Sequence, residues 1–214
     1  MHPNAPVFKS ETLIYAVSMA VEIELKAHVT NWDALKRLLS EKAEYLWAFE
    51  KTDTYWFPEK NSFPWFPPSG LRLRREKRCS KKGTETSLCL VTYKNKEVKD
   101  GIEVNDEREF EVSAPKRQSA VVFEEFLKKI GLIPGSSKKK RGWAFSREGI
   151  NAELVEVEGL GWFVELEIID PIHADSDMEA AFTEGKKRLL EFLDFLGIER
   201  EAIESRFYTE MLKE

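Results

Sequence analysis

The chain has 214 residues, 42% hydrophobic and 33% charged, which suits a globular domain with its own core and excludes a disordered or collagen-like polymer. Its 33 basic and 38 acidic residues leave a formal charge of −5. No basic excess points to nucleic acid or a membrane surface, so any anion site must be a local concentration of Lys and Arg. Cys79 and Cys89 are the only cysteines, too few for a secreted disulfide scaffold and without zinc-ligand spacing, so a reducing, cytoplasmic setting is expected.

Leu13 to Val21 is apolar and about as long as a signal-peptide core, but it lacks a strong basic flank and is too short to span a bilayer. Met19 stands just before a strand pattern and offers an alternative start. Residues 1–18 therefore read as an N-terminal extension and 19–214 as one domain. From Ala20 to Val29, Val21, Ile23 and Leu25 alternate with Glu22, Glu24 and Lys26, as a strand's period of two requires. Asn31 can cap a helix in which Trp32, Leu35, Leu38 and Leu39 recur at helical spacing. Short strands are expected at Tyr45–Glu50 and Asp53–Phe57, then a Pro- and aromatic-rich loop, Pro58–Gly70.

Leu71–Arg78, Ser87–Lys96 and Arg108–Ser113 read as further strands, the last two separated by a polar turn over Glu97–Glu107. Pro115 can open a helix whose apolar stripe is Val121, Val122, Phe126, Leu127 and Ile130, ending near Gly131. Strands resume at Lys138–Ser146, Asn151–Val157 and Trp162–Ile169, and two helices, Met178–Leu196 and Arg200–Leu212, close the chain. About eight short strands without a βαβ rhythm predict an α+β protein whose antiparallel sheet stacks or closes.

The charged faces favour closure. Glu22/Glu24, Arg72/Arg74, Glu109/Glu111, Lys139/Arg141 and Glu165/Glu167 each place like charges two apart on one strand face, which costs energy unless opposite charge or a ligand compensates. A single such pair is ordinarily just solvated. Five together predict a closed barrel with a charged lumen.

Ordered motifs carry a family resemblance through almost the whole chain. Glu22-Ile23-Glu24-Leu25-Lys26 resembles the ExExK signature of the CYTH family, the triphosphate tunnel metalloenzymes. Asp53-Thr54-Tyr55-Trp56-Phe57 resembles the family's DxYF segment, Leu71-Arg72-Leu73-Arg74 its LRxR strand, and Thr92-Tyr93-Lys94 a strand bearing a functional lysine. Arg108-Glu109-Phe110-Glu111 is similar to its RxExE-like strand, and Lys139-Lys140-Arg141-Gly142-Trp143 to KxRxxY. Val157 to Glu167, reading VEGLGWFVELE, resembles the ending of the class IV adenylyl cyclase branch.

The resemblance implies a closed eight-stranded antiparallel barrel with flanking helices. It implies a triphosphate held by Lys26, Arg72, Arg74, Lys94, Lys139 and Arg141, and Mg²⁺ or Mn²⁺ held by Glu22, Glu24, Glu109, Glu111, Glu165 and Glu167. Arg can fork onto two phosphate oxygens and carboxylates suit hard divalent cations. Lys26, Glu165 and Glu167 are the expected catalytic residues nearest an attacking water. The branch usually carries an acidic residue where this chain has Val155, so Glu153, on the same strand face, becomes an additional metal candidate.

The reaction expected first is metal-dependent hydrolysis of triphosphorylated substrates: inorganic, nucleoside or thiamine triphosphate. The alternatives are cyclisation of ATP to cyclic AMP with release of pyrophosphate, and, because of Val155, polyphosphate or nucleotide binding without turnover. The partner is thus a triphosphorylated small molecule rather than nucleic acid or membrane, and the oligomeric state, a homodimer included, stays open. His28 and His173 are isolated, no Walker-type loop is present, and Trp56, Trp65, Trp143 and Trp162 are either core or candidates to stack on an adenine.

Overall fold

Inward and outward residues alternate along eight strands, and the strands close on themselves. A computed structural model describes residues 20–59, 66, 69–112, 119–171 and 178–214. The N-terminal extension, most of the Pro58–Gly70 loop with Trp65, Pro115 and His173 lie outside the described residues. The strands are β1 (Ala20–His28), β2 (Glu44–Pro58), β3 (Leu71–Ser80), β4 (Glu85–Lys99), β5 (Ile102–Glu111), β6 (Leu132–Arg147), β7 (Ile150–Val157) and β8 (Gly161–Pro171). They form a closed barrel in the order β1-β5-β4-β3-β2-β6-β7-β8, and every neighbouring pair is antiparallel. Closure leaves no sheet edge to protect.

Helix α1 (Trp32–Lys42) starts where the Asn31 side chain accepts a hydrogen bond from the Ala34 N–H at 3.1 Å. With α3 (Met178–Phe195) it covers the outside of β1, β6, β7 and β8, where Leu25, Leu39, Phe145, Leu154, Leu166, Leu189 and Leu193 are fully buried. Helix α2 (Ser119–Lys129) covers another outer patch, seating Ala120 and Leu127 with Trp56, Leu73, Cys89, Val91 and Leu132. Of its expected stripe only Leu127 is buried; Val121, Val122, Phe126 and Ile130 are exposed. No described helix is long and apolar enough to cross a membrane.

Expected boundaries move, and β6 begins at Leu132 rather than at Lys138. β2 is one strand, with register shifts between Tyr45 and Trp47 and between Thr54 and Trp56 in its pairing with β6, rather than two. The polar run after Lys96 is no long turn: Asp100 and Gly101, at φ 51° and 79°, make a tight turn, so β5 begins at Ile102. The last helix is replaced by a 3₁₀ turn (Arg200–Ala202) and a short α4 (Tyr208–Met211).

Candidate functional site

Because side chains alternate, the inward face of each strand is set by one register choice. Glu22 and Glu24 from β1, Lys51 from β2, Arg72 and Arg74 from β3 and Lys94 from β4 line a lumenal cavity of about 580 Å³. Glu103, Glu107 and Glu109 from β5, Lys138 and Lys140 from β6, Glu153 from β7 and Glu165 and Glu167 from β8 complete its charged wall. Each base has an acid. Arg74 forks onto Asp53 at 2.7 and 3.0 Å, with Lys138 at 3.5 Å from the same carboxylate. Lys140 holds Glu165 at 2.6 and 2.7 Å, and Lys51 holds Glu153 at 2.5 and 2.7 Å. Arg72 bridges Glu107 at 3.2 Å and Glu109 at 3.1 Å while also reaching Thr92. Lys94 contacts Glu22, Glu24 at 3.7 Å and Glu107 at 2.9 Å.

The two signs are not evenly spread. Across the β1–β8 seam Glu24 pairs with Glu167 in register, with Glu22 next along the same face, and these acids repel one another. Burial pushes the Glu22 carboxyl up to about 9; Lys94 opposes this, and Glu167, Glu107 and Glu24 add to it. Burial and Glu24 raise Glu167 as well. Glu107 goes the other way: burial would raise it, but Lys94 and Arg72 hold it at about 2. Burial is likewise outweighed at Glu165 by Lys140 and at Asp53, held well below the usual carboxylate range, by Arg74. On the β1–β8 wall Glu22 and Glu167 therefore favour a bound proton, which a cation could replace, while the β2, β3 and β6 wall carries cations that a phosphate could recruit.

Glu22, Glu24, Arg72, Arg74, Lys94, Glu109, Glu153, Glu165 and Glu167 all face this cavity. Lys26, next along the same face of β1 as Glu22 and Glu24, is buried and bonded to Glu103 at 2.5 Å and does not line the cavity. Three expected residues are elsewhere. Lys139 and Arg141 are exposed and pair with Glu158 and Glu156, because the inward residues of β6 are Lys138 and Lys140. Glu111 is exposed at the end of β5, outside the cavity lining. Four successive basic residues hide the phase of a strand. The small Gly142 and Ala144, buried on the same face as Lys140, show the true one: a Cβ on Gly142 would come 2.0 Å from the Leu154 carbonyl oxygen.

Lys51, Glu103 and Glu107 were not singled out in sequence, and Asp53 only as the head of the DxYF segment; the Asp100-Gly101 turn is the signal that puts Glu103 and Glu107 on an inward-facing strand. Val155 shares the inward face of Glu153 but packs with Phe49, Ala144, Val157, Phe163 and Tyr208 in an apolar layer. Trp143 and Trp162 stack with Trp32 outside the barrel, and Trp56 is buried beneath α2.

Among the described residues no three His, Cys, Asp or Glu side chains close on one point as a ready ligand set. The donor chemistry of Glu22, Glu24 and Glu167 nevertheless fits a hard divalent cation: these are oxygen donors, mutually repelling, two of them with raised proton affinity.

The sequence matches no family model and no curated protein. Solved structures do match. A Pyrococcus horikoshii OT3 protein is 28% identical, with a TM-score of 0.64 over 88% of this chain and 98% of that one. A candidate adenylate cyclase from Vibrio parahaemolyticus superposes with a TM-score of 0.68 at 19% identity, over 90% and 98% of the two chains. A Hippeastrum candidate adenylyl cyclase with a dominant triphosphatase activity gives 0.54 at 18% identity, over 88% and 91%. With the ordered motifs and the charged lumen on the same eight-stranded barrel, the chain has the fold of the CYTH family, the triphosphate tunnel proteins.

Proposed function

We propose that the lumen binds a triphosphate with Mg²⁺ or Mn²⁺ and hydrolyses its terminal phosphoryl group. The observation that carries this reading is the segregation of the lumen into a wall of cations from β2, β3 and β6 and a wall of acids from β1 and β8, of which Glu22 and Glu167 have a raised proton affinity. A triphosphate's negative charges can be buried only against matching cations. Arg72, Arg74, Lys138 and Lys140 bind and orient the phosphates, exchanging their carboxylate partners in part for phosphate oxygens. Glu22, Glu24 and Glu167 are the residues that would hold the divalent cation, which would supply charge neutralisation for the phosphates. Glu165, which Lys140 keeps ionised, is the carboxylate suited to accept the proton of an attacking water.

The VEGLG ending favours a second reading, in which a ribose 3′-hydroxyl attacks the α-phosphate of ATP. One experiment separates the readings: the purified chain is incubated with inorganic triphosphate, thiamine triphosphate or ATP and Mg²⁺ or Mn²⁺, and the products are identified. Phosphate release that EDTA abolishes is expected. Cyclic AMP would install the cyclase, and tight binding without any product would leave a non-catalytic phosphate-binding protein.

A further inference from the structure

Leu46 is an extra residue in β2. The pairing with β6 joins Tyr45 to Phe145 and then Trp47 to Ala144, so Leu46 bulges out of the ladder, and both Leu46 and Trp47 line the cavity. A bulge beside a site re-aims side chains in this way. Arg78, inward on the neighbouring β3, lies over the Trp47 ring with its guanidinium carbon 4.3 Å from the ring centroid. Its Nε–H donates to the buried Glu76 carboxylate at 2.6 Å. The guanidinium is thus held by an indole beneath it and a carboxylate at its edge. Exposure changes along β3: the Arg72 and Arg74 side chains are 13% and 12% exposed, Arg78 31%. Arg78 therefore stands toward the rim, while the other two arginines lie inside. Along the strand it is roughly 13 Å beyond Arg74, at about 3.3 Å per residue.

A bare triphosphate gains nothing from an indole and a leucine side chain, whereas a nucleobase stacks on guanidinium and aromatic planes. The cationic ring of thiamine would meet the Arg78 charge, and a neutral nucleobase does not. We propose that Arg78, backed by Trp47, is the platform on which the base of a nucleoside triphosphate stacks, with the phosphates reaching inward to Arg72 and Arg74. Nucleoside triphosphates are then the preferred substrate class, ahead of inorganic and thiamine triphosphate. The inference rests on the lumen being the triphosphate site, and its residues lie outside the motifs of the strands.

The test uses the full chain with Mn²⁺ and compares binding of ATP, inorganic triphosphate and thiamine triphosphate by calorimetry, in wild type, Trp47→Phe, Trp47→Ala and Arg78→Lys. Wild type is expected to prefer ATP over inorganic triphosphate by about tenfold or more, the size of one base stack. Trp47→Phe should keep most of that preference, and Trp47→Ala should bring the ratio close to one. Arg78→Lys, which keeps the charge and loses the plane, should lower the ratio as well and carries the test should Trp47→Ala not fold. A merely structural Trp47 and Arg78 would lower both affinities together and leave the ratio unchanged, which overturns the proposal. So does a wild type that binds ATP no better than inorganic triphosphate, or thiamine triphosphate more tightly than ATP. Binding of none of the three to wild type overturns the reading of the lumen itself, and the platform with it.

Discussion

The two faces of strands β1, β6, β7 and β8 are opposite kinds of core. Under α1 and α3 the outward residues Leu25, Phe145, Leu154 and Leu166 are fully buried among leucines and phenylalanines. On the opposite face of the same strands, Glu24, Lys140, Glu153 and Glu165 line the lumen. Apolar burial contributes roughly 25 cal/mol per Å², whereas buried ion pairs recover little beyond their own desolvation. The outer face thus supplies stability, and the inner face uses it to hold charges at positions where water would otherwise screen them. A barrel usually keeps its apolar residues inside; here the helices let the sheet turn inside out.

The comparison can be strained most severely at Val155, an inward residue that belongs by its surroundings to the apolar kind. Val155→Asp places a carboxylate among Phe49, Val157 and Phe163 and is expected to cost about 3 kcal/mol or more in urea unfolding. Unchanged stability with tighter Mn²⁺ binding would instead make that layer part of the charged lumen.

A smaller effect comes from pH. In the folded, metal-free chain Glu22 keeps its proton up to about 9, against an ordinary 4.5 when unfolded. The native state then binds the extra proton between those values, so Glu22's contribution is fully present below 4.5 and is lost as pH rises through about 9. Glu107, held at about 2, has the opposite sign: its contribution is present above 4.5 and lost as pH falls through about 2. Melting temperatures between pH 5 and 9 with chelator present should therefore fall less steeply in Glu22→Gln than in wild type. Parallel curves would place Glu22 in a more solvated site.

The smallest expected effect is none at all. Arg141→Ala removes an exposed pair with Glu156 and should leave melting temperature and triphosphate affinity unchanged, whereas Lys140→Ala should weaken triphosphate by about tenfold. Calorimetry on the two variants decides which phase of β6 faces the ligand.

Much of this arrangement was legible in the sequence because one charged residue in two leaves no doubt about phase. Glu22-Ile23-Glu24 and Glu165-Leu166-Glu167 alternate cleanly, and the apolar member of each faces the helices. Where the alternation fails, so does the reading. Lys138 to Arg141 is basic throughout and gives no phase, and Glu97 to Glu107 is polar enough to conceal a hairpin whose turn is only Asp100-Gly101. The exposed Val121, Val122 and Phe126 were read as one apolar stripe with the buried Leu127, because helical spacing alone cannot tell which side of α2 meets the barrel. The inward turn at Tyr208 depends on Glu204 and Arg206 meeting β1 at His28, far away in sequence, and no local pattern encodes that meeting.

Closure of the ring through β1 has a consequence for how the chain reaches its native state. β1 emerges first, yet its neighbours are β5 and β8, and β8 is the last strand made. The seam that brings Glu24 beside Glu167 is therefore absent until nearly the whole domain has been synthesised. Early in its life β1 exposes Ile23 and Leu25 with only part of their final cover. Long-range pairing of this kind makes folding slow and leaves an open-edged intermediate available to other chains. The acidic wall is the last part of the lumen to assemble, so a divalent cation has no complete set of carboxylates to bind before the barrel shuts.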